Sequence, residues 1–253
     1  MENQVAEGRA EAAIPKVLHY IWIGGKPMPT DLQANIRQWQ RLMPDYRIVC
    51  WDERSYDVHQ HPWAARMYAQ GRFAFASDHM RLKILHAHGG FYLDVDTALK
   101  KRLDPFLGEQ CLLSFEFDSF LSTGVIACQA GHPFLLEWMA LYDQLDSPIV
   151  SNDVITRHFL DRFPEFRLNN RDQLVGTGIR VLPKEYFAVP SFDKEKNFGV
   201  NQAANSWKEG QKKRKLSALV RAVIGDVLFF KLVNLRMSWR SEYLALDRAR
   251  RRT

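Results

Sequence analysis

Gly89-Gly90-Phe91-Tyr92-Leu93-Asp94-Val95-Asp96 is the stretch from which the fold can be read. Phe91 to Val95 is apolar and rich in β-formers, which predicts a buried strand. The two glycines stop a preceding helix, since glycine tolerates the left-handed conformation at a helix end; they could equally let a bound nucleotide approach the backbone. Alternate strand residues share a face, so Asp94 and Asp96 converge at the carboxyl edge of the sheet. Open α/β sheets bind ligands at that edge. Clustered carboxylates repel one another and favour a divalent cation on oxygen ligands. Such a cation neutralises charge on a departing phosphate. Taken alone, an Asp-x-Asp also fits a strand end or a helix cap.

Moving upstream, Ser77 or Asp78 is expected to cap a helix with Met80, Leu82, Ile84 and Leu85 on its apolar side. Asp78 and Arg81 stand at i and i+3 and share a face. A carboxylate there could accept sugar hydroxyls and a guanidinium could bind a phosphate or sugar oxygen; a cap with a surface ion pair is the plainer alternative. Val17 to Ile23 predicts a buried strand ended by Gly24-Gly25, with Trp22 either a core aromatic or a platform for a base. A helix capped by Asp31 runs through Leu32, Ile36, Trp39 and Leu42, and Arg47 to Trp51 is a second strand. The opening is therefore β-turn-α-turn-β, the unit of a parallel sheet.

Downstream, Cys111 to Phe117 and Gly124 to Cys128 predict strands, and His132 to Leu145 and Val154 to Phe163 predict helices. Arg180 to Pro183 and Tyr186 to Val189 are read as late short strands. Glu116 and Asp118 could steer an acceptor or be solvated loop acids. His19 is expected to pack in its strand, His132 to sit in a turn, and His86 and His88 to close a helix.

The chain has 253 residues, 46% hydrophobic and 25% charged, which excludes global disorder and a collagen-like repeat. Its net charge of +6 is uneven: residues 208–253 carry +9 and residues 1–207 carry −3. Leu219, Val220, Val223, Ile224, Val227 and Leu228 recur at helical spacing after Lys212 to Lys215, which predicts a basic amphipathic segment. Such a segment could lie on an anionic membrane or pack as a core or dimer helix. No nucleic-acid-binding module is recognisable, so nucleic acid is not an expected partner. Three scattered cysteines, Cys50, Cys111 and Cys128, do not make a disulfide framework, and a reducing cytoplasm is the expected compartment. Met1 to Ala13 lacks an apolar core, so no signal peptide is expected, and no run of about 18 apolar residues occurs.

In combination these blocks resemble family 32 glycosyltransferases, which include bacterial capsule and lipopolysaccharide sugar transferases and yeast initiating α-1,6-mannosyltransferases. The matching stretches are Ile14 to Gly25, Ala76-Ser77-Asp78-x-x-Arg81 through Asp96, Gly131-His132-Pro133 and Ser206-Trp207. The glucosyltransferase domains of large clostridial toxins are similar in the first block. The resemblance implies an α/β GT-A (Rossmann-like) fold with a mixed central sheet over residues 14–210. Residues 1–13 would be a disordered N-terminus and 211–253 a basic helical extension. It also implies a nucleotide-sugar donor (UDP favoured), a Mn²⁺ or Mg²⁺ cofactor, retention of configuration, and a glycan or lipid-linked glycan acceptor. By the same resemblance Trp22 would stack on the base and Tyr92 would line its pocket. Ser77, Asp78 and Arg81 would hold the donor, and Asp94 would contact ribose, sugar or metal. Asp96 would ligate the metal, and Ser206 and Trp207 would close over the diphosphate. Many relatives place a histidine pair before the Ser-Trp; here the stretch is Asn201 to Asn205, and Asn201 is the candidate ligand. A bacterial surface-glycan enzyme at the inner face of the membrane is the leading reading. Protein glycosylation and a catalytically silent sugar-nucleotide-binding or membrane-scaffold protein are the rivals.

Overall fold

A computed structural model describes residues 14–202, 220–239 and 241–251. Ser206, Trp207, the N-terminal thirteen residues and the Lys212–Lys215 cluster lie outside the described residues.

The chain begins as expected. Strand β1 (Val17–Ile21) leads into helix α1 (Thr30–Leu42) and strand β2 (Arg47–Trp51). Leu32, Ile36 and Trp39 form the buried face of α1, as their spacing requires. Helix α2 (Pro62–Ala69), which the sequence reading missed, precedes α3 (Phe73–His88). Helix α3 starts four residues before Ser77, so Ser77 and Asp78 are interior residues and not caps. Strand β3 (Gly90–Leu93) follows directly.

Seven strands form one sheet in the order β2-β1-β3-β6-β5-β8-β7. Here β5 is Cys111–Phe117, β6 Phe120–Cys128, β7 Gln173–Val175 and β8 Ile179–Leu182. β1 pairs in parallel with β2 and β3, whereas β6 runs antiparallel to both β3 and β5, so the sheet is mixed. Strands β4 (Thr97–Leu99) and β9 (Gly199–Asn201) pair separately, with Thr97 opposite Asn201. Tyr186 to Val189, expected as a strand, is a turn. Helices α4 (Pro133–Asp143) and α5 (Ser151–Arg162) pack with α3 and β6 over one core cluster that includes Trp63, Met80, Trp138 and Phe159.

Gly89 and Gly90 sit at the amino end of β3, away from Asp94. A Cβ on Gly90 would lie 2.6 Å from the Val17 carbonyl, and Gly90 has φ +100°. These glycines therefore serve the helix stop and the contact with β1, which removes them from the nucleotide-binding candidates.

The described part of the expected basic helical segment is helical but broken into pieces. Residues 220–224 are helical, Gly225 interrupts at φ +77°, and α6 (Asp226–Trp239) then begins. A final helix, α7 (Glu242–Ala249), docks on α5 and buries Asp247, which accepts a hydrogen bond from the Leu168 backbone at 3.2 Å.

Candidate active site

The chain crosses from β2 on one side of β1 to β3 on the other. In such sheets a reversal of this kind sets the ligand crevice at the carboxyl ends of the flanking strands, here β1 and β3. Trp22 follows β1 at this edge, partly buried, with its indole N–H donating to the Lys26 carbonyl at 2.7 Å.

Asp94 and Asp96 occupy a turn immediately after β3, closed by the Thr97 N–H donating to the Asp94 carbonyl at 2.9 Å. The pair is thus gathered by a turn, and strand alternation, the expected cause, does not apply. Asn35 on α1 secures the turn by donating to the Val95 carbonyl at 2.9 Å. The Gln202 backbone N–H donates to the Asp96 carbonyl at 2.9 Å, which draws the end of β9 to the same place. Asn35 escaped the sequence reading. Its signal was a lone amide on the apolar stripe of Leu32, Ile36 and Trp39.

Gly124 of β6 faces this turn. A Cβ there would lie 3.2 Å from Asp94 Oδ2, 3.3 Å from Asn201 Nδ2 and 3.7 Å from Ser122 Oγ. Asp94, Asn201 and Ser122 therefore surround a cradle that any side chain at 124 would fill. Carboxylate and amide oxygens suit a hard cation such as Mg²⁺ or Mn²⁺, so the donor set of Asp94, Asp96 and Asn201 fits the metal that the sequence implies. Turning the Asn201 amide would present its oxygen to such an ion.

Behind Asp94 lies a buried charge network. Arg81 Nη2 is 2.9 Å from Asp78 Oδ1 and donates to Ser77 Oγ at 3.1 Å. Arg81 Nη1 donates to the Thr123 carbonyl at 2.8 Å and is 3.5 Å from Asp94 Oδ1. Its Nε donates to the Ser77 carbonyl at 3.3 Å, and the guanidinium carbon stands 4.5 Å from the centre of the Tyr92 ring. The five donors of Arg81 are thus aimed at protein acceptors. In this geometry Arg81 holds Asp78 and Asp94 in place. The Tyr92 hydroxyl donates to Asp94 Oδ1 at 2.8 Å. Burial pushes the Asp78 carboxyl up to about 7, with Arg81 pulling it back and Asp94 pushing it higher.

Glu116 enters the site from the end of β5. It accepts the Ser122 hydroxyl at 2.6 Å, and burial raises its carboxyl to about 7; Ser122 opposes the shift, and Asp94 and Asp96 add to it. Asp118 does not join it. Asp118 forms an ion pair with Lys184, its Oδ2 accepts from Asn234 Nδ2 at 2.7 Å, and its backbone N–H donates to Asn234 Oδ1 at 2.9 Å. It fastens α6 to the β5–β6 turn and is not an acceptor-steering group.

His19 and His132 behave as packing groups, as expected. His19 Nε2–H donates to the Gly89 carbonyl at 2.9 Å and Nδ1 accepts the Trp51 indole N–H at 3.0 Å, while burial lowers its pKa to about 4. His132 caps α4 by accepting from the Phe134 N–H. Cys111 and Cys128, opposite each other at the far end of the β5–β6 hairpin, approach His132 in the core.

The family described as "Glycosyltransferase sugar-binding region containing DXD motif" matches residues 29–113, which include Asp78, Arg81, Asp94 and Asp96. Inositol phosphoceramide mannosyltransferase 3 of Schizosaccharomyces pombe is 32% identical over 139 residues, covering 53% of this chain and 39% of that protein. The chain therefore spans about two fifths of the length of that yeast relative. Uncharacterized glycosyltransferase L373 of Acanthamoeba polyphaga mimivirus is 30% identical over 171 residues, covering 62% of this chain and 67% of that protein. A solved structure, PaToxG Glycosyltransferase, superposes with a TM-score of 0.52 at 20% identity over 60% of this chain and 70% of that one. That likeness and the mixed sheet identify the GT-A fold. With its DXD turn inside the matched segment and two thirds of the mimivirus protein covered, the chain belongs to the family of glycosyltransferases with a DXD sugar-binding region.

Proposed function

We propose that the protein transfers a hexose from a nucleotide sugar to a glycan acceptor, with retention of configuration and dependence on Mn²⁺ or Mg²⁺. The gathering of Asp94, Asn201 and Ser122 around the side-chain-free Gly124, with Asp96 in the same turn as Asp94, carries this reading. A cation held by these three residues would neutralise charge on the departing nucleoside diphosphate. Arg81, by gripping Asp78 and Asp94, keeps both carboxylates at fixed positions for the donor. Trp22 offers a face at the crevice for the base, and Tyr92 orients Asp94. Ser77 supports Arg81 from within α3. By the family resemblance, Ser206 and Trp207 would close over the diphosphate. Glu116 stands beside the pair where an acceptor hydroxyl would approach.

The first donor choice is a UDP-sugar, from the family 32 resemblance. The yeast relative, an inositol phosphoceramide mannosyltransferase, puts mannose first among the hexoses and a lipid among the acceptors. We place the reaction in bacterial surface-glycan synthesis, capsule or lipopolysaccharide, on the cytoplasmic side of the membrane.

The test is donor hydrolysis and thermal shift against UDP- and GDP-sugars, with Mn²⁺ and with EDTA. A donor at about 100 times its Kd should add roughly 2.7 kcal/mol. Asp96→Asn should remove the Mn²⁺-dependent turnover while leaving the melting temperature of the free protein near its original value. Full turnover in that variant, or no response to any donor by folded protein, would sink the enzyme reading.

A further inference from the structure

We infer that α6 is an interfacial helix that lays an apolar stripe into an anionic lipid surface. The inference does not depend on the transferase reading, because binding is read without turnover.

Among the described residues, none of α6 is buried, although nine of its fourteen residues, DVLFFKLVNLRMSW, are apolar. Leu228, Leu232, Leu235 and Trp239 are 48%, 58%, 64% and 87% exposed. Their spacing of four, three and four places them on one arc of about 60° at 3.6 residues per turn. A contiguous exposed stripe of this size marks a surface that another body covers. The helix cannot cross a bilayer: no helix among the described residues is long and apolar enough.

Charge selects the occupant. Lys231 and Arg236 are exposed and fall on opposite flanks of the stripe, by the same helical arithmetic. Residues 227–241 contain three cations and no acid. Asp226, the one acid of α6, lies about 160° from the stripe and accepts from Arg221 at 2.7 Å. A second copy of this chain docking stripe to stripe would bring cations against cations. An anionic bilayer would meet them favourably, with leucines entering the acyl boundary and Trp239 at headgroup depth. Phe192 adds to the same face: it is 72% exposed and its ring centre lies 5.7 Å from Lys231 Nζ.

The inward side of α6 is fixed. Asn234 bonds Asp118 through both its amide groups, and Asp118 lies two residues beyond Glu116 on the β5–β6 turn. A lipid surface under α6 is thereby tied to the hairpin that supplies Glu116, Ser122 and Gly124 to the site. An acceptor glycan on a lipid would be presented from that surface.

The experiment is vesicle co-sedimentation of the full chain with phosphatidylcholine alone and with phosphatidylcholine containing phosphatidylglycerol. Binding should appear on the anionic vesicles, weaken in high salt and be nearly absent on neutral ones. Brominated lipid should quench a fluorescence component that Trp239→Phe removes. Leu232→Glu with Leu235→Glu should lower partitioning at least tenfold. Lys231→Glu with Arg236→Glu, which leaves the stripe intact, should lower it on anionic vesicles only. Retained binding in the leucine pair, or no binding by the parent protein, overturns the inference. So does a concentration-dependent dimer that the leucine pair abolishes, which would assign the stripe to a second copy.

Discussion

Helices α3 and α6 have sixteen and fourteen residues and invert each other's relation between polarity and burial. α3 buries Ser77, Asp78, His79 and Arg81. α6 buries nothing and turns its leucines outward. Each breaks the ordinary rule that apolar groups go inside and charges outside, in opposite directions. In α3 the charges neutralise one another across an enclosed network that ends at Asp94. In α6 no group among the described residues buries the stripe. The contrast teaches that burial must be read together with partnering. A buried charge with partners marks a preorganised site, whereas an exposed apolar stripe flanked by cations marks a surface meant for something else.

The sharpest way to break the comparison is at Arg81. Arg81→Ala would leave Asp78 and Asp94 without their common cation, which for a buried partner costs about 3–5 kcal/mol. Turnover should fall about a hundredfold or more through misplacement of Asp94. Arg81→Lys would keep the charge but lose the fork that reaches Thr123, Ser77 and Asp78 together, so it should recover only part of each loss. Urea unfolding and donor hydrolysis measure the two effects. Loss of activity with unchanged stability in Arg81→Ala would show that the guanidinium acts on the donor directly and that the network is incidental.

A smaller effect separates the helices by pH. His79 stacks on His61 with ring centres 3.6 Å apart, and burial first, then His61 and Lys83, lower its pKa to about 3 against the pull of Asp143. The unfolded value is near 6.5, so between these values the unfolded chain binds a proton that the native one refuses. The neutral-His79 contribution is present above pH 6.5 and is lost progressively as pH falls towards the native value. Between pH 7 and pH 5 that is about 2 kcal/mol. His79→Gln should make the acid side of the stability curve shallower by that amount in urea titrations at pH 7, 6 and 5. Parallel curves would mean that His79 takes up its proton as readily in the native state as in the unfolded chain. α6 contains no histidine, so substitutions along its stripe should leave this slope unchanged.

The two helices also explain what was legible beforehand. β1, α1, β2 and β3 could be read because their apolar periods are local and glycine or proline punctuates them. The start of α3 could not. Ser77 and Asp78 look like caps, and only the tertiary network with Arg81, Thr123 and Asp94 makes them interior residues. β4, β7 and β9 have three residues each, too few to show a period, and the place of Asn201 beside Asp94 follows from pairing across more than a hundred residues. Asp118 illustrates the same limit: its partners, Lys184 and Asn234, are 66 and 116 residues away. The stripe of α6 was not read: the period picked out, Leu219 to Leu228, ends where that stripe begins. Which side of a helix faces its own protein is decided by a bond such as Asn234 to Asp118, which sequence spacing does not contain.

The smallest effect is the one that isolates direction. Leu85 of α3 is fully buried in the main core, while Leu235 of α6 is 64% exposed. Truncating each to alanine removes the same atoms. Leu85→Ala should cost about 2–5 kcal/mol, because transfer and cavity terms add in a packed interior. Leu235→Ala should stay within about 0.5 kcal/mol, since water already wets much of the side chain and alanine suits a helix as well as leucine does. Guanidinium unfolding of the free protein measures both. If Leu235→Ala costs as much as Leu85→Ala, α6 is held against its own protein by the stripe, and the lipid surface loses its contact. If the cost is negligible in solution but vesicle partitioning falls, the leucine contributes to the bound state and not to the fold. That separation distinguishes a docking helix from a core helix whose apolar content is similar.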